Sequence, residues 1–145
     1  DEYAAQVVNW VRHLVDAGVQ TDHITLVGFS RGAQITLKAS QLLNDLAINT
    51  AFMAVCFAGD FPDTPPIRLT GHVLSIYETT DAVQSCHKLL ERSEDASSRK
   101  EIAISTGLKH GAFYTPRMAS AITRLARRAG SVICGSWPAY TTWLH

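Results

Sequence analysis

Long hydrophobic runs, an excess of charge of either sign, and cysteine are all scarce in this 145-residue sequence. Thirteen Lys and Arg residues balance thirteen Asp and Glu residues. The chain therefore has no broad electrostatic field for nucleic acid or an anionic membrane, and no nucleic-acid partner is expected. No apolar run approaches the ~20 residues that a membrane-spanning helix needs, so no membrane span is expected. The hydrophobic fraction of 46% is typical of a globular chain.

The three cysteines, Cys56, Cys86 and Cys134, are too few and too scattered to indicate a disulfide framework. Cys56 lies inside an apolar, strand-like run, where a small buried hydrophobic side chain is expected. Cys86 and Cys134 are left as a pair that could form a disulfide. The histidines do not have the spacing of metal ligands, and the sequence contains neither CxxC nor HExxH. Neither a metal nor another cofactor is therefore expected, and the cellular compartment stays open.

Apolar segments recur along the chain with spacings that predict alternating helices and strands. Helices are expected over residues 2–17, 31–46, 83–92 and 115–129, and strands over residues 23–29, 50–57, 72–77 and 100–105. Apolar strands separated by helices favour one α/β domain over residues 1–145, with a mostly parallel sheet and helices on both faces. The carboxyl ends of such strands share one edge, where ligands bind. The segment 131–145 is expected to pack on the domain as a tail.

A GxSxG motif lies where the first predicted strand meets the second predicted helix, in Gly28-Phe29-Ser30-Arg31-Gly32. A sharp strand-to-helix turn imposes strained dihedral angles on its central residue. It also brings the residues two before and two after into close approach, and glycine at both positions leaves room for this. Ser30 would then stand at the sheet edge as a nucleophile. The backbone N–H of Arg31, at the start of the helix, would serve as an oxyanion donor.

A nucleophilic serine needs a base, and the base needs an acid that orients it. His110 follows the fourth predicted strand and Asp81 follows the third, so a parallel sheet brings both to the edge that holds Ser30. The order Ser, Asp, His along the chain fits such a sheet. Asp60, which follows the second strand, and Glu78 are alternative acids. In a simpler interpretation, Ser30 and Asp81 are only helix N-caps and His110 is a surface histidine.

The GFSRG turn at residues 28–32, the Asp81 turn and the His110-Gly111 loop together resemble the α/β-hydrolase family in order and in context. The resemblance runs from residue 1 to about residue 129. It implies Ser30 as nucleophile, Asp81 as acid and His110 as base. It also implies a serine hydrolase that acts on a small acyl substrate, with a carboxylic ester as the specific expectation.

The sequence departs from this family before the nucleophile strand. In the family, three or four strands precede that strand, and a loop after one of them supplies the second oxyanion N–H. Here only one predicted helix precedes His23, so the sheet is expected to be truncated to about four strands. The nucleophile strand would then have an unpaired edge, which we expect a second copy of the chain or a separate N-terminal segment to cover. The alternative function is a non-catalytic or incomplete scaffold for binding or assembly.

Several aromatic residues close to these segments are candidates for the wall of an apolar acyl pocket. They are Phe29, Phe57, Phe61, Phe113, Tyr114 and Trp137. Each of them could instead pack in the core, as strand aromatics usually do.

Overall fold

Helices and strands alternate along the computed structural model, which describes residues 2–128 and 131–134. The helices are α1 (Glu2–Asp16), α2 (Arg31–Leu42), α3 (His87–Arg92) and α4 (Pro116–Arg128), and the strands are β1 (Ile24–Phe29), β2 (Asn49–Met53), β3 (His72–Glu78), β4 (Ser98–Ile104) and β5 (Ser131–Cys134). The strands form one sheet in the order β4-β3-β2-β1-β5, and every neighbouring pair is parallel. The predicted α/β class is confirmed.

Each face of the sheet carries its own apolar core, because successive side chains of a strand point to opposite faces. Leu26 of β1 packs with residues of α1 and α2, whereas the next residue, Val27, packs with Phe113 and with Ile122 of α4. A further cluster joins α2, β2 and α3 around the fully buried Phe52. Helices therefore cover both faces, as the sequence predicts.

Strand β5 lies on the free side of β1 and corrects two expectations at once. Its register pairs Ile24 with Ser131 and Val27 with Cys134. The sheet thus has five strands rather than about four, and the start of the expected tail is a strand. The edge of β1 that we assigned to a separate polypeptide is covered by the same chain, so the reason for expecting a partner there disappears. Trp137 lies outside the described residues.

Strand β2 is shorter than the predicted strand 50–57, because the backbone leaves the sheet at Ala54. That residue has a φ of 51°, in the left-handed region that ends extended structure. Buried residues continue through Val55 and Cys56, which is why the apolar run resembles a longer strand. The predicted helix 83–92 is likewise shortened to α3, which begins at His87.

The turn after β2 explains the pairing of Cys56 with Cys86, which the sequence did not indicate. It carries Cys56 into an isolated antiparallel bridge with Gln84, two residues before Cys86. The Cα atoms of Cys56 and Cys86 are then 5.2 Å apart, and the two residues form a disulfide. Cys56 is buried, as expected, but as half of a disulfide. The possible pairing of Cys86 with Cys134 is wrong, because Cys86 is bonded to Cys56. Within the described residues, no helix has the length and apolar character that crossing a bilayer requires.

Candidate active site

Ser30 occupies a strained turn between β1 and α2. Its φ and ψ are 52° and −117°, a combination that costs a non-glycine residue about 1–3 kcal/mol. Its backbone N–H still donates to the carbonyl oxygen of Met53 at 2.9 Å, while its own carbonyl accepts from the N–H of Gln34 in α2 at 3.2 Å. The Ser30 hydroxyl makes no capping bond to α2. The structure therefore does not support the interpretation of the Ser30 side chain as a helix N-cap.

The close approach expected across the turn is present at Gly28. A Cβ atom added there would lie 2.5 Å from the carbonyl oxygen of Gly32 and would also overlap the hydroxyl of Thr36. The backbone of Gly32 cannot move away without displacing the first turn of α2. Gly28 therefore allows the strand and the helix to meet at the angle that presents Ser30.

Substitution of Gly28 by alanine is expected to lower the free energy of unfolding by roughly 2–3 kcal/mol, because the added methyl group meets backbone atoms of Gly32 as well as the hydroxyl of the buried Thr36. Urea denaturation measures this change. Gly111→Ala is the matched control, since a Cβ atom at Gly111 would meet nothing within 4 Å. Equal midpoints for the two variants would contradict the role assigned to Gly28.

Three side chains from three separate loops form one hydrogen-bonded chain. Nε2 of His110 lies 3.0 Å from Oγ of Ser30, and Nδ1 of His110 lies 2.7 Å from Oδ2 of Asp81. A carboxylate only accepts hydrogen bonds, so it selects the imidazole tautomer that carries its proton on Nδ1. Nε2 is then left with a lone pair directed at the hydroxyl of Ser30. This is the geometry in which an imidazole can take the proton of a serine.

Local structure orients the side chains of Asp81 and His110. Asp81 is 7% exposed, and its Oδ1 accepts a hydrogen bond from the N–H of Val83 at 3.4 Å, which leaves Oδ2 for the imidazole. His110 lies in a short 3-10 helix, Lys109–Tyr114, that the sequence did not predict. The residue before it, Lys109, has a φ of 52°, so the chain turns sharply just before the histidine.

Aromatic rings pack beside the imidazole. The ring centroids of Phe29 and His110 are 4.9 Å apart, and Tyr114 meets the same phenylalanine edge-on at 5.0 Å. Tyr114 is 58% exposed, so its ring packs on Phe29 and also faces solvent. Phe113 and Phe61, also candidates for a pocket wall, are buried in two separate core clusters. Phe113 also packs on Phe29, with ring centroids 5.1 Å apart. Phe29 is therefore the candidate in contact with His110, and Tyr114 and Phe113 both pack on Phe29.

Asp60 has different partners from those of a triad acid. Both of its carboxylate oxygens bind the guanidinium of Arg92, at 2.6 and 2.8 Å. The hydrogen bond from Arg92 holds the pKa of Asp60 below its usual range, although partial burial acts in the opposite direction. The positive charge of Arg92 and the hydrogen bond from the N–H of Phe61 add to this effect. Asp60 therefore holds α3 against the turn after β2, and it does not enter the chain that contains His110.

Glu78, the other alternative acid, is fully buried at the end of β3. Its carboxylate accepts hydrogen bonds from Thr80, Thr106 and Gly107. The hydroxyl of Thr80, together with backbone N–H groups, lowers the pKa of Glu78 to about 2, against the effect of burial. The sequence indicates Glu78 only as an alternative acid. A glutamate at the end of an apolar strand, two residues before a threonine, is the sequence signal that could have indicated a buried carboxylate held by nearby donors.

The far end of the Asp81 loop is held by a second carboxylate. Glu101 of β4 accepts hydrogen bonds from the hydroxyl of Ser85 at 2.6 Å and from the N–H of Cys86 at 2.7 Å. The disulfide joins that same Cys86 to the turn after β2. The segment that carries Asp81 is thus fastened at both of its ends.

The start of α2 faces the same edge as this hydrogen-bonded chain. Arg31 is the first residue of the helix, so its backbone N–H has no acceptor in a preceding turn. The helix dipole adds partial positive charge at this point. The Arg31 side chain is exposed.

Within residues 2–128, no group of three His, Cys, Asp or Glu side chains is arranged to hold a metal ion. Comparisons of the chain with protein-family models, curated proteins and solved structures found no match.

Proposed function

We propose that this chain is a serine hydrolase that cleaves carboxylic esters or related acyl compounds through Ser30, His110 and Asp81. The observation that supports this proposal most strongly is the continuous hydrogen-bonded chain Ser30 Oγ–His110–Asp81, with distances of 3.0 and 2.7 Å. A strained serine at a strand-to-helix turn is a second, independent support, because such strain is characteristic of functional sites.

In the proposed reaction, Nε2 of His110 takes the proton of Ser30 while Oγ attacks the carbonyl carbon of the substrate. The carbonyl oxygen becomes an oxyanion, which the N–H of Arg31 stabilises. The C–O bond to the leaving group breaks, and the imidazolium donates its proton to the departing alcohol. Water then attacks the acyl-serine, His110 takes its proton, and the acid leaves as Ser30 regains its hydrogen. Asp81 keeps the imidazole in its tautomer and stabilises the imidazolium throughout.

The surroundings of the imidazole favour an apolar acyl or alcohol group. Phe29 packs against His110 with its ring tilted by 40°, and the exposed ring of Tyr114 continues this apolar surface toward solvent. Aromatic surface of this kind gains free energy by covering a hydrophobic group. Short-chain aryl esters are therefore suitable first substrates.

Reaction with a fluorophosphonate reagent tests the proposal directly. We expect stoichiometric phosphonylation of Ser30, identified by mass spectrometry of the peptide that contains it. Ser98 is an internal control, because its hydroxyl lies 2.8 Å from Nδ1 of His72 but at the amino ends of β3 and β4. Unmodified Ser30 in the folded protein, with no turnover of aryl esters, would reject the hydrolase and favour the alternative of a binding scaffold.

A further inference from the structure

We propose that Glu78 is a positioning residue that holds the acid and the base of the site in register with each other. This inference rests on the proposed function. It concerns two segments: the acid loop, residues 79–86, which contains Asp81, and the base loop, residues 105–110, which ends at His110. Glu78 touches neither catalytic side chain and acts through the backbone of these two loops.

Each carboxylate oxygen of Glu78 binds one of the two loops. Oε2 accepts from the backbone N–H and the hydroxyl of Thr80, at 2.7 and 2.6 Å, on the acid loop. Oε1 accepts from the N–H of Thr106 at 2.9 Å and from the N–H of Gly107 at 3.0 Å, on the base loop. One rigid, planar group therefore sets the distance between two segments that come from different strands.

The bonded positions lie close in sequence to the catalytic ones. Asp81 is the residue after Thr80, and its own N–H donates to the carbonyl oxygen of Glu78 at 3.1 Å. His110 is three residues after Gly107. A shift of the Glu78 carboxylate would therefore displace Asp81 and His110, because few rotatable bonds separate them from the positions that Glu78 binds. A displacement of about 1 Å at a reacting group can lower a rate about 10²-fold.

A carboxylate suits this position better than any neutral side chain. Glu78 is fully buried, and none of the described cationic side chains forms an ion pair with it. Within the described residues, its charge is balanced by hydrogen-bond donors, from which a carboxylate can accept on both oxygens. Glutamine would direct an NH₂ group at one set of these donors, so that two donors would face each other and the hydrogen bonds to that loop would be lost.

The two loops keep other links when Glu78 is changed, so the variant is expected to fold. The N–H of Thr79 donates to the carbonyl oxygen of Ile104 at 2.9 Å. The hydroxyls of Thr79 and Ser105 lie 2.9 Å apart on the exposed side. These bonds join the strand ends without fixing the positions further along each loop.

The first test compares Glu78→Gln with the wild type on an aryl ester. We expect kcat to fall about 10²-fold and KM to stay within about twofold. Ser93→Ala is the matched control, because Ser93 is also buried and its hydroxyl bonds Leu69 and Leu89, away from both loops. The control should lower Tm and leave kcat unchanged. An unchanged kcat in Glu78→Gln, or a loss that falls mainly on KM, would overturn the assignment.

A double-mutant cycle separates positioning from general stability. If Glu78 acts through the alignment of Asp81 with His110, then adding Glu78→Gln to Asp81→Asn should lower kcat by less than about threefold further. Full additivity of the two effects would mean that Glu78 acts independently of the acid, and would reject the proposal.

The imidazole proton provides a readout that does not depend on turnover. A strongly hydrogen-bonded Nδ1–H of His110 gives a proton resonance far downfield in NMR, which should move or vanish in Glu78→Gln and persist in Ser93→Ala. If the wild type neither hydrolyses esters nor reacts with fluorophosphonate, the proposed function fails while this test of Glu78 still stands. If Glu78→Gln does not fold, Thr80→Val removes only the hydroxyl bond and should lower kcat about tenfold. An unchanged kcat and resonance in that variant would contradict the proposal.

Discussion

Alanine in place of Ser30 should reduce the turnover of an aryl ester about 10⁶-fold, the largest loss expected for any single substitution in this chain. The substitution removes the only hydroxyl bonded to Nε2 of His110 in the described part of the structure. Without it, no acyl-enzyme forms, and the remaining rate depends on direct attack by water on a substrate held near the oxyanion donor. Hydrolysis assays at saturating substrate give the ratio of the two kcat values.

The matched control for this experiment is Ser98→Ala. Ser98 also hydrogen-bonds a histidine, but it lies at the opposite edge of the sheet and its exposed partner His72 has no carboxylate behind it among the described contacts. We expect wild-type turnover in this variant. Substantial residual turnover in Ser30→Ala, or a large loss in Ser98→Ala, would contradict the assignment of the nucleophile.

Asparagine in place of Asp81 should lower kcat about 10⁴-fold while the fold stays intact. The amide has nearly the shape of the carboxylate, but its NH₂ group cannot accept the Nδ1–H of His110. The imidazole would then favour the other tautomer, with its proton on Nε2, where it cannot act as a base toward Ser30. Circular dichroism of the variant establishes that the loss is not one of folding.

Asp60→Asn distinguishes Asp81 from Asp60, one of the alternative acids that the sequence left open. It breaks the pair with Arg92, so Tm should fall while kcat stays near the wild-type value. Retained activity in Asp81→Asn together with lost activity in Asp60→Asn would transfer the role of acid to Asp60. The two variants carry the same chemical change and differ only in position.

The convergence of Ser30, Asp81 and His110 could be expected from the sequence, because the topology of a parallel sheet brings the carboxyl ends of its strands to one edge. The close approach at Gly28 was equally accessible, since a sharp turn between a strand and a helix leaves no room for a side chain. Both predictions depend on local sequence and on a handedness rule that few proteins violate.

Other features depend on contacts between distant residues, which local patterns do not record. Strand β5 has only four residues, and nothing in its own sequence indicates that it pairs with β1. The disulfide depends on the turn at Ala54, whose positive φ an alanine does not signal. The surroundings of Glu78 are set largely by backbone N–H groups of two separate loops. The sequence signals them only through a glutamate at the end of an apolar strand and a nearby threonine.

The disulfide between Cys56 and Cys86 makes the redox state of the buffer part of any measurement on this protein. A cross-link that spans 30 residues stabilises a fold by roughly 3–4 kcal/mol through the entropy of the unfolded chain. Dithiothreitol, or expression in a reducing cytosol, would remove that contribution. It would also break the link between Cys86, at the end of the segment that carries Asp81, and the turn after β2. Expression in an oxidising host compartment and thiol-free assays therefore follow from the position of this bond.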